Sequence, residues 1–205
     1  FFESQLEACG VDYFDFYLMH SQNADNFKKF KACRAYETAF ALKAEGRIRH
    51  VGLSFHDRAE VLDQILTEYP QIEVVQIQFN YLDYDDIAVQ SRKCYEVCRK
   101  HGKPVVIMEP ARGGRLADLP AAVAAPLLEA RPDLSQASWA YRFCYNQPGV
   151  LTVLSGMSTP DQVRQNVAEW REHGDAFSPR EQKALDAACK VLASVPTVPC
   201  TNCRY

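Results

Sequence analysis

Five short apolar runs, each followed by a longer stretch with helical spacing, constrain this chain more than any other feature. The runs are Tyr13 to Met19, Ile48 to Ser54, Val74 to Phe79, Val105 to Glu109 and Val150 to Ser155. Each is rich in β-branched or aromatic residues and bounded by turn signals, which predicts strands. Phe30 to Ala44 places Phe30, Cys33, Tyr36, Phe40 and Leu42 near a helical period of about 3.6 and stops at Gly46. Asp57 is positioned to N-cap a helix from Arg58 to Glu68, ahead of Pro70. Val89 to Lys100 ends at Gly102. An Ala-rich stretch, Leu116 to Ala130, and a helix from Ser135 to Tyr145 follow the fourth run. Thr159-Pro160 then opens a helix through Trp170.

Strands apolar on both faces, alternating with helices, pair in parallel and are covered by those helices. Two architectures meet that description. A doubly wound sheet usually carries a G-x-G-x-x-G turn after an early strand, and none is present. A (β/α)8 barrel needs eight strands and about 250 residues, whereas five strands fill these 205. The first residues read as the tail of a helix feeding a strand. The expectation is an α/β fold, a partial (β/α)8 TIM barrel with about five of its eight βα units and parallel strands.

Charge and composition narrow the function. With 23 Lys and Arg against 26 Asp and Glu, the net charge of -3 excludes a polycationic nucleic-acid binder and an acidic disordered tail. At 47% hydrophobic the chain can bury one large core. No run approaches the ~18 to 20 apolar residues of a membrane span, and Phe1-Phe2-Glu3-Ser4 shows no signal-peptide pattern, so the chain reads as cytoplasmic, with no membrane partner. Eight cysteines fall short of the ~8 to 10% of a disulfide scaffold. Cys9, Cys33, Cys94, Cys98, Cys144 and Cys189 sit in helical segments or at their ends. Cys94 and Cys98, at i and i+4, read as buried small hydrophobes. Only Cys200 and Cys203 pair closely outside such segments.

In a β/α barrel the chemistry lies at the C-terminal ends of the strands. Every run here ends in polar residues: Leu18-Met19-His20, Gly52-Leu53-Ser54-Phe55-His56, Gln76-Ile77-Gln78-Phe79-Asn80, Met108-Glu109-Pro110 and Leu154-Ser155-Gly156. Gln76, Gln78 and Asn80 alternate with Val75, Ile77 and Phe79, which puts the three amides on one face, where they need hydrogen bonds from neighbours or a ligand. Ser155 to Pro160 combines small residues with a helix start and suits a phosphate; an ordinary N-cap reads the same way. Arg112-Gly113-Gly114-Arg115 offers close backbone approach and anion pairing, or a plain glycine turn with solvated arginines.

These stretches match a known family. Val11-Asp12-Tyr13-Phe14-Asp15-Phe16-Tyr17-Leu18-Met19-His20, Gly46 to Asp57, Gln76 to Tyr81, Met108 to Gly114 and Leu154 to Thr159 run in family order across nearly the whole chain, which resembles the aldo-keto reductases. Pro199-Cys200-Thr201-Asn202-Cys203 is similar to the opening of the ferredoxin-like 4Fe-4S extension that one branch carries. The resemblance implies a barrel that binds NADP(H) across its C-terminal face, with residues 1–195 as the C-terminal part of that barrel and 196–205 as the start of the iron-sulfur extension. It makes His20 the histidine that orients the substrate carbonyl. Ser54 and Gln76 fall on positions that bind the nicotinamide carboxamide, and Met108 and Glu109 on the nicotinamide side. Met108 stands where many members carry an aromatic, and Phe55 where many carry Asn. Ser155, Gly156 and Ser158 match the phosphate turn, and Gln162 and Asn166 match positions facing adenosine.

The family's proton-donating Tyr, its Lys and the Asp that holds the Lys match no position here, so the chain is expected to be an inactive fragment. Cys200 and Cys203 are expected to be metal ligands of a 4Fe-4S cluster that this chain alone does not complete. Three functions compete. The first is an NADP(H)-dependent oxidoreductase acting on a small carbonyl substrate, coupled to an electron-transfer partner through the cluster. The second is a non-catalytic nucleotide-binding barrel serving as a redox sensor or partner subunit. An unrelated barrel lyase or isomerase would show a Lys or paired carboxylates at the strand ends, where only Glu109 stands.

Overall fold

The computed structural model describes residues 1–173 and 176–194. The strands are β1 (Phe14–Gln22), β2 (Ile48–Phe55), β3 (Val74–Gln78), β4 (Val105–Met108) and β5 (Val150–Val153). They hydrogen-bond in chain order as one parallel five-stranded sheet, the partial barrel that the alternation predicts. Among the described residues the helices are α1 (Phe2–Cys9), α2 (Ala24–Ala32), α3 (Ala35–Ala44), α4 (Ala59–Glu68), α5 (Ser91–Lys100), α6 (Ala121–Ala130), α7 (Gln136–Tyr145), α8 (Pro160–His173) and α9 (Pro179–Ser194). None of them is long and apolar enough to cross a membrane.

The helical stretch predicted as one piece from Phe30 to Ala44 is two helices, α2 and α3, broken at Cys33 and Arg34. Arg34 turns the chain at φ 56°. The apolar period continues through the break, so spacing alone does not reveal it. Asp57 does not cap α4 as expected. Its Oδ1 accepts from the neighbouring Arg58 N–H, and its Oδ2 accepts from Ala24 N–H at 2.8 Å, which fastens the first turn of α2. Thr159 does cap α8, and Ser135, expected as the first residue of a helix, caps α7, each side-chain oxygen accepting a backbone N–H three residues on.

The chain divides into two compact units. The first holds Phe1–Ile77 and Arg92–Val106. Its buried residues include Ile48, Val51, Leu53 and Phe55 of β2, Leu62, Ile65 and Leu66 of α4, and Val74, Val75 and Ile77 of β3. Each such side chain contributes about 1.5 to 3 kcal/mol by leaving water. β2 packs tightly on its neighbours at Gly52, where a Cβ would lie 2.4 Å from Val74 Cγ1 and 2.6 Å from Leu18 Cδ2.

The second unit holds Gln78–Ser91 and the chain from Ile107 on. Leu116, Val123, Leu127, Trp139, Leu185 and Ala188 make its core, in which α6 lies on α9. Glu181 of α9, 5% exposed, meets Arg142 at 2.7 Å and Arg131 at 2.9 Å. Its other oxygen accepts from the Ser178 N–H and hydroxyl, which closes the first turn of α9.

Candidate active site

In the first unit, β1 runs through His20 and Ser21 to Gln22, and its register against β2 shifts between Met19 and Gln22. Ser21 sits at φ 54°, a conformation that costs a non-glycine residue about 1 to 3 kcal/mol. Side-chain hydrogen bonds hold the irregularity, including a long one from Asn23 Nδ2 to the Ser21 carbonyl at 3.4 Å. The Ser21 N–H donates to Ser54 Oγ at 2.8 Å, Asn26 Nδ2 donates to the Ser21 carbonyl at 2.8 Å, and Gln22 Nε2 donates to the His20 carbonyl at 3.2 Å. Gln22 is itself fixed by the buried Tyr36, whose hydroxyl donates to Oε1 at 2.6 Å.

This local scaffold leaves the His20 side chain exposed at the end of β1. Ser54, 3% exposed, accepts the Ser21 N–H and retains a hydroxyl hydrogen to donate. Gln76 is the direct cross-strand partner of Ser54, so the structure brings these two predicted residues side by side.

In the second unit, Met108 closes β4 half-buried, and Glu109 follows it exposed at φ 54°. Gln78 and Asn80, two of the predicted amides, do find hydrogen bonds. Gln78 Nε2 and Asn80 Nδ2 both donate to Asp83 Oδ2, at 3.1 and 2.9 Å, and Asn80 Nδ2 also reaches the Glu109 carbonyl at 3.0 Å. Arg112, expected either to pair with an anion or to be solvated, instead places Nε 3.2 Å from the buried Asp83 Oδ1. Gly113 and Gly114, at φ 62° and 94°, make the turn that follows.

Beyond β5, Ser155 accepts from Asn166 Nδ2 at 2.9 Å and lies 2.6 Å from the Tyr141 hydroxyl. Ser158 N–H and Thr159 N–H both donate to Gln162 Oε1, at 2.7 and 3.1 Å, so Gln162 organises its own turn as well as the position it holds on α8. A Cβ built on Gly156 would meet nothing within 4 Å, and Met157, Ser158, Thr159, Pro160, Val163 and Arg164 line an open depression at the start of α8. That space leaves room for a phosphate beside Gly156, but the Ser158 and Thr159 N–H groups become available to it only if Gln162 Oε1 gives them up.

No group of three His, Cys, Asp or Glu side chains able to hold a metal stands among the described residues. Cys200 and Cys203 lie outside them. Sequence reasoning missed Ser21, Gln22, Tyr36, Asp83 and Tyr141. For the first of these a signal was available: the polar run Ser21-Gln22-Asn23-Ala24-Asp25-Asn26 interrupts the apolar pattern right after His20.

The sequence profile of the Aldo/keto reductase family matches residues 1–189. The chain belongs to that family. The NADH-specific methylglyoxal reductase of Escherichia coli (strain K12) is 24% identical over 191 residues, covering 80% of this chain and 56% of its own length. Among solved structures, the aldo-keto reductase AKR11C1 from Bacillus halodurans in its holo form superposes with a TM-score of 0.71 at 23% identity, over 91% of this chain and 62% of that one. The thermostable aldo-keto reductase Tm1743, solved with the inhibitor epalrestat, gives a TM-score of 0.73 at 22% identity, over 91% of this chain and 64% of that one. The chain thus spans less than two thirds of the length of these relatives.

Proposed function

We propose that the chain serves an NADP(H)-dependent oxidoreductase of the aldo-keto reductase type acting on a small carbonyl or alcohol substrate. The observation that carries this reading is the open phosphate turn, in which Ser155 and Asn166 are tied together beside an unencumbered Gly156. Ser155, Gly156 and Ser158 hold the cofactor phosphates, and Asn166 and Gln162 hold the adenosine end. Ser54, with its remaining hydroxyl hydrogen, and Gln76 would hold the carboxamide, and Met108 and Glu109 would contribute to the nicotinamide side. When bound, the cofactor supplies or accepts the hydride. His20, exposed at the end of β1, orients the substrate oxygen through a ring N–H. The proton donor, by family resemblance a Tyr with a Lys partner, matches no residue among these 205, and losing a general acid typically costs about 10² to 10⁴ in rate.

The same resemblance makes residues 196–205 the start of an iron-sulfur extension, with Cys200 and Cys203 as its first ligands and an electron-transfer partner beyond it. That part rests on the Cys-x2-Cys spacing. Titrating the chain with NADPH by fluorescence, alongside an assay on aldehydes and quinones, tests the reading. Binding that weakens in Asn166→Ala and Ser158→Ala, without turnover, is expected. Absence of binding overturns the cofactor assignment, and turnover abolished by His20→Ala overturns the assignment of the missing proton donor.

A further inference from the structure

Asp83 is 1% exposed, and a carboxylate at that depth is tolerated only when its lone pairs are answered. Partners for it come from two strand exits. Gln78 and Asn80 donate to one carboxylate oxygen from the end of β3 and the loop after it, and Arg112 faces the other from the loop after β4. Asn80 is set by its own turn, its Oδ1 accepting the N–H groups of Leu82 and Asp83. Its Nδ2, while bonded to Asp83, also reaches the Glu109 carbonyl. The carboxylate therefore grips the loop after β4 twice, directly at Arg112 and through Asn80 at Glu109.

What it grips is strained. Glu109 and Arg112 stand at φ 54° and 46°, a region that side chains with a Cβ avoid. The chain uses glycine at the next two left-handed positions, Gly113 and Gly114, so the strain at Glu109 is not an unavoidable feature of the turn. A loop that only needed to reverse direction would carry glycine there as well. A strained residue held by a buried charge at a strand exit points to a required side-chain placement.

We propose that Asp83 is a positioning residue: through Asn80 and Arg112 it holds Glu109 in its left-handed conformation and so fixes Met108 and Glu109 at the end of β4. The placement matters for the nicotinamide end of the cofactor, and in that respect the inference rests on the function proposed above. The geometry of the clasp stands without it.

Amide hydrogen exchange on the wild type, Asp83→Asn, Glu109→Gly and the double variant tests the clasp. The probes are the N–H groups of Arg112 and Gly114, which donate to the Glu109 and Ala111 carbonyls. Asp83→Asn is expected to speed exchange at both by about tenfold, the effect of weakening one charge-assisted bond, while amides of α9 keep their rates. Glu109→Gly restores most of the protection in the Asp83→Asn background, because glycine holds positive φ unaided. In parallel, Asp83→Asn raises the NADPH dissociation constant by about tenfold. Exchange that rises uniformly across α9 as well, or that Glu109→Gly fails to restore, overturns the positioning role. If the wild type binds no NADPH, the cofactor reading fails, and the exchange arm still decides the clasp. If Asp83→Asn does not fold, Arg112→Gln removes the cation from the half-buried side of the pair and is judged by the same outcomes.

Discussion

The Tyr141 hydroxyl lies 2.6 Å from Ser155 Oγ, and the same oxygen accepts from Asn166, so a buried phenol and an amide of α8 meet on one serine hydroxyl. Tyr141→Phe keeps the ring and removes only the hydroxyl. The expected cost is about 1 kcal/mol of stability, read from the urea midpoint, together with weaker NADPH binding. Unchanged binding with a lowered midpoint would confine Tyr141 to a structural role.

Glu181 predicts an acid limit for the second unit. Burial pushes its carboxyl up, but bonds from Arg142 and from the Ser178 N–H and hydroxyl outweigh burial and hold it at about 2 against an ordinary 4.5. A depressed folded value means that the stabilisation is fully present above pH 4.5 and is lost as pH falls from there to about 2. The size is about 3 kcal/mol. Urea midpoints measured between neutral pH and pH 2.5 should decline steeply in the wild type. In Glu181→Gln the midpoint should start lower and decline less over that range; parallel curves would refute the assignment.

Gly52→Ala tests how tightly β2 packs on its neighbours at that position. The added methyl would overlap Val74 Cγ1 and the Val74 carbonyl oxygen, which lies 2.6 Å from its ideal position. Backbone cannot yield as a flexible side chain can, so a loss of about 1 to 3 kcal/mol or more is expected by thermal unfolding. A loss below about 0.5 kcal/mol, the scatter of an ordinary surface substitution, would show that the strands have room to part.

The terminal strands of the sheet expose apolar side chains, Phe16 on β1 and Leu151 on β5. Unpaired strand edges of that character recruit other chains. Sedimentation velocity should show association growing with protein concentration, and Phe16→Lys with Leu151→Lys should return the sample to monomer. Identical sedimentation of wild type and variant would rule the edges out.

The βα alternation was legible because strand and helix impose different spacings on apolar residues, and all five runs became strands within a few residues of their predicted ends. The break between α2 and α3 was not, since Phe30, Cys33, Tyr36 and Phe40 keep one period across a left-handed arginine. The site residues came from family motifs, whereas their supports did not. No local pattern marks Tyr36 or Tyr141, and only the fold shows that each brings its hydroxyl to a polar partner. Asp83 and Arg112 stand far apart along the chain, and no local pattern announces a pairing across that separation.

The thiols divide by environment. Cys94, Cys98 and Cys144 are buried, and burial raises all three above the ordinary thiol range, so almost none of their sulfur is thiolate at neutral pH. Cys9 and Cys33 are exposed. Cys189 lies between, half-buried, and burial raises its thiol as well, so within the described residues Cys9 and Cys33 are the sulfurs open to an oxidant or alkylating probe. A fluorophore attached at Cys9 or Cys33 would report on the folded chain without first unfolding it.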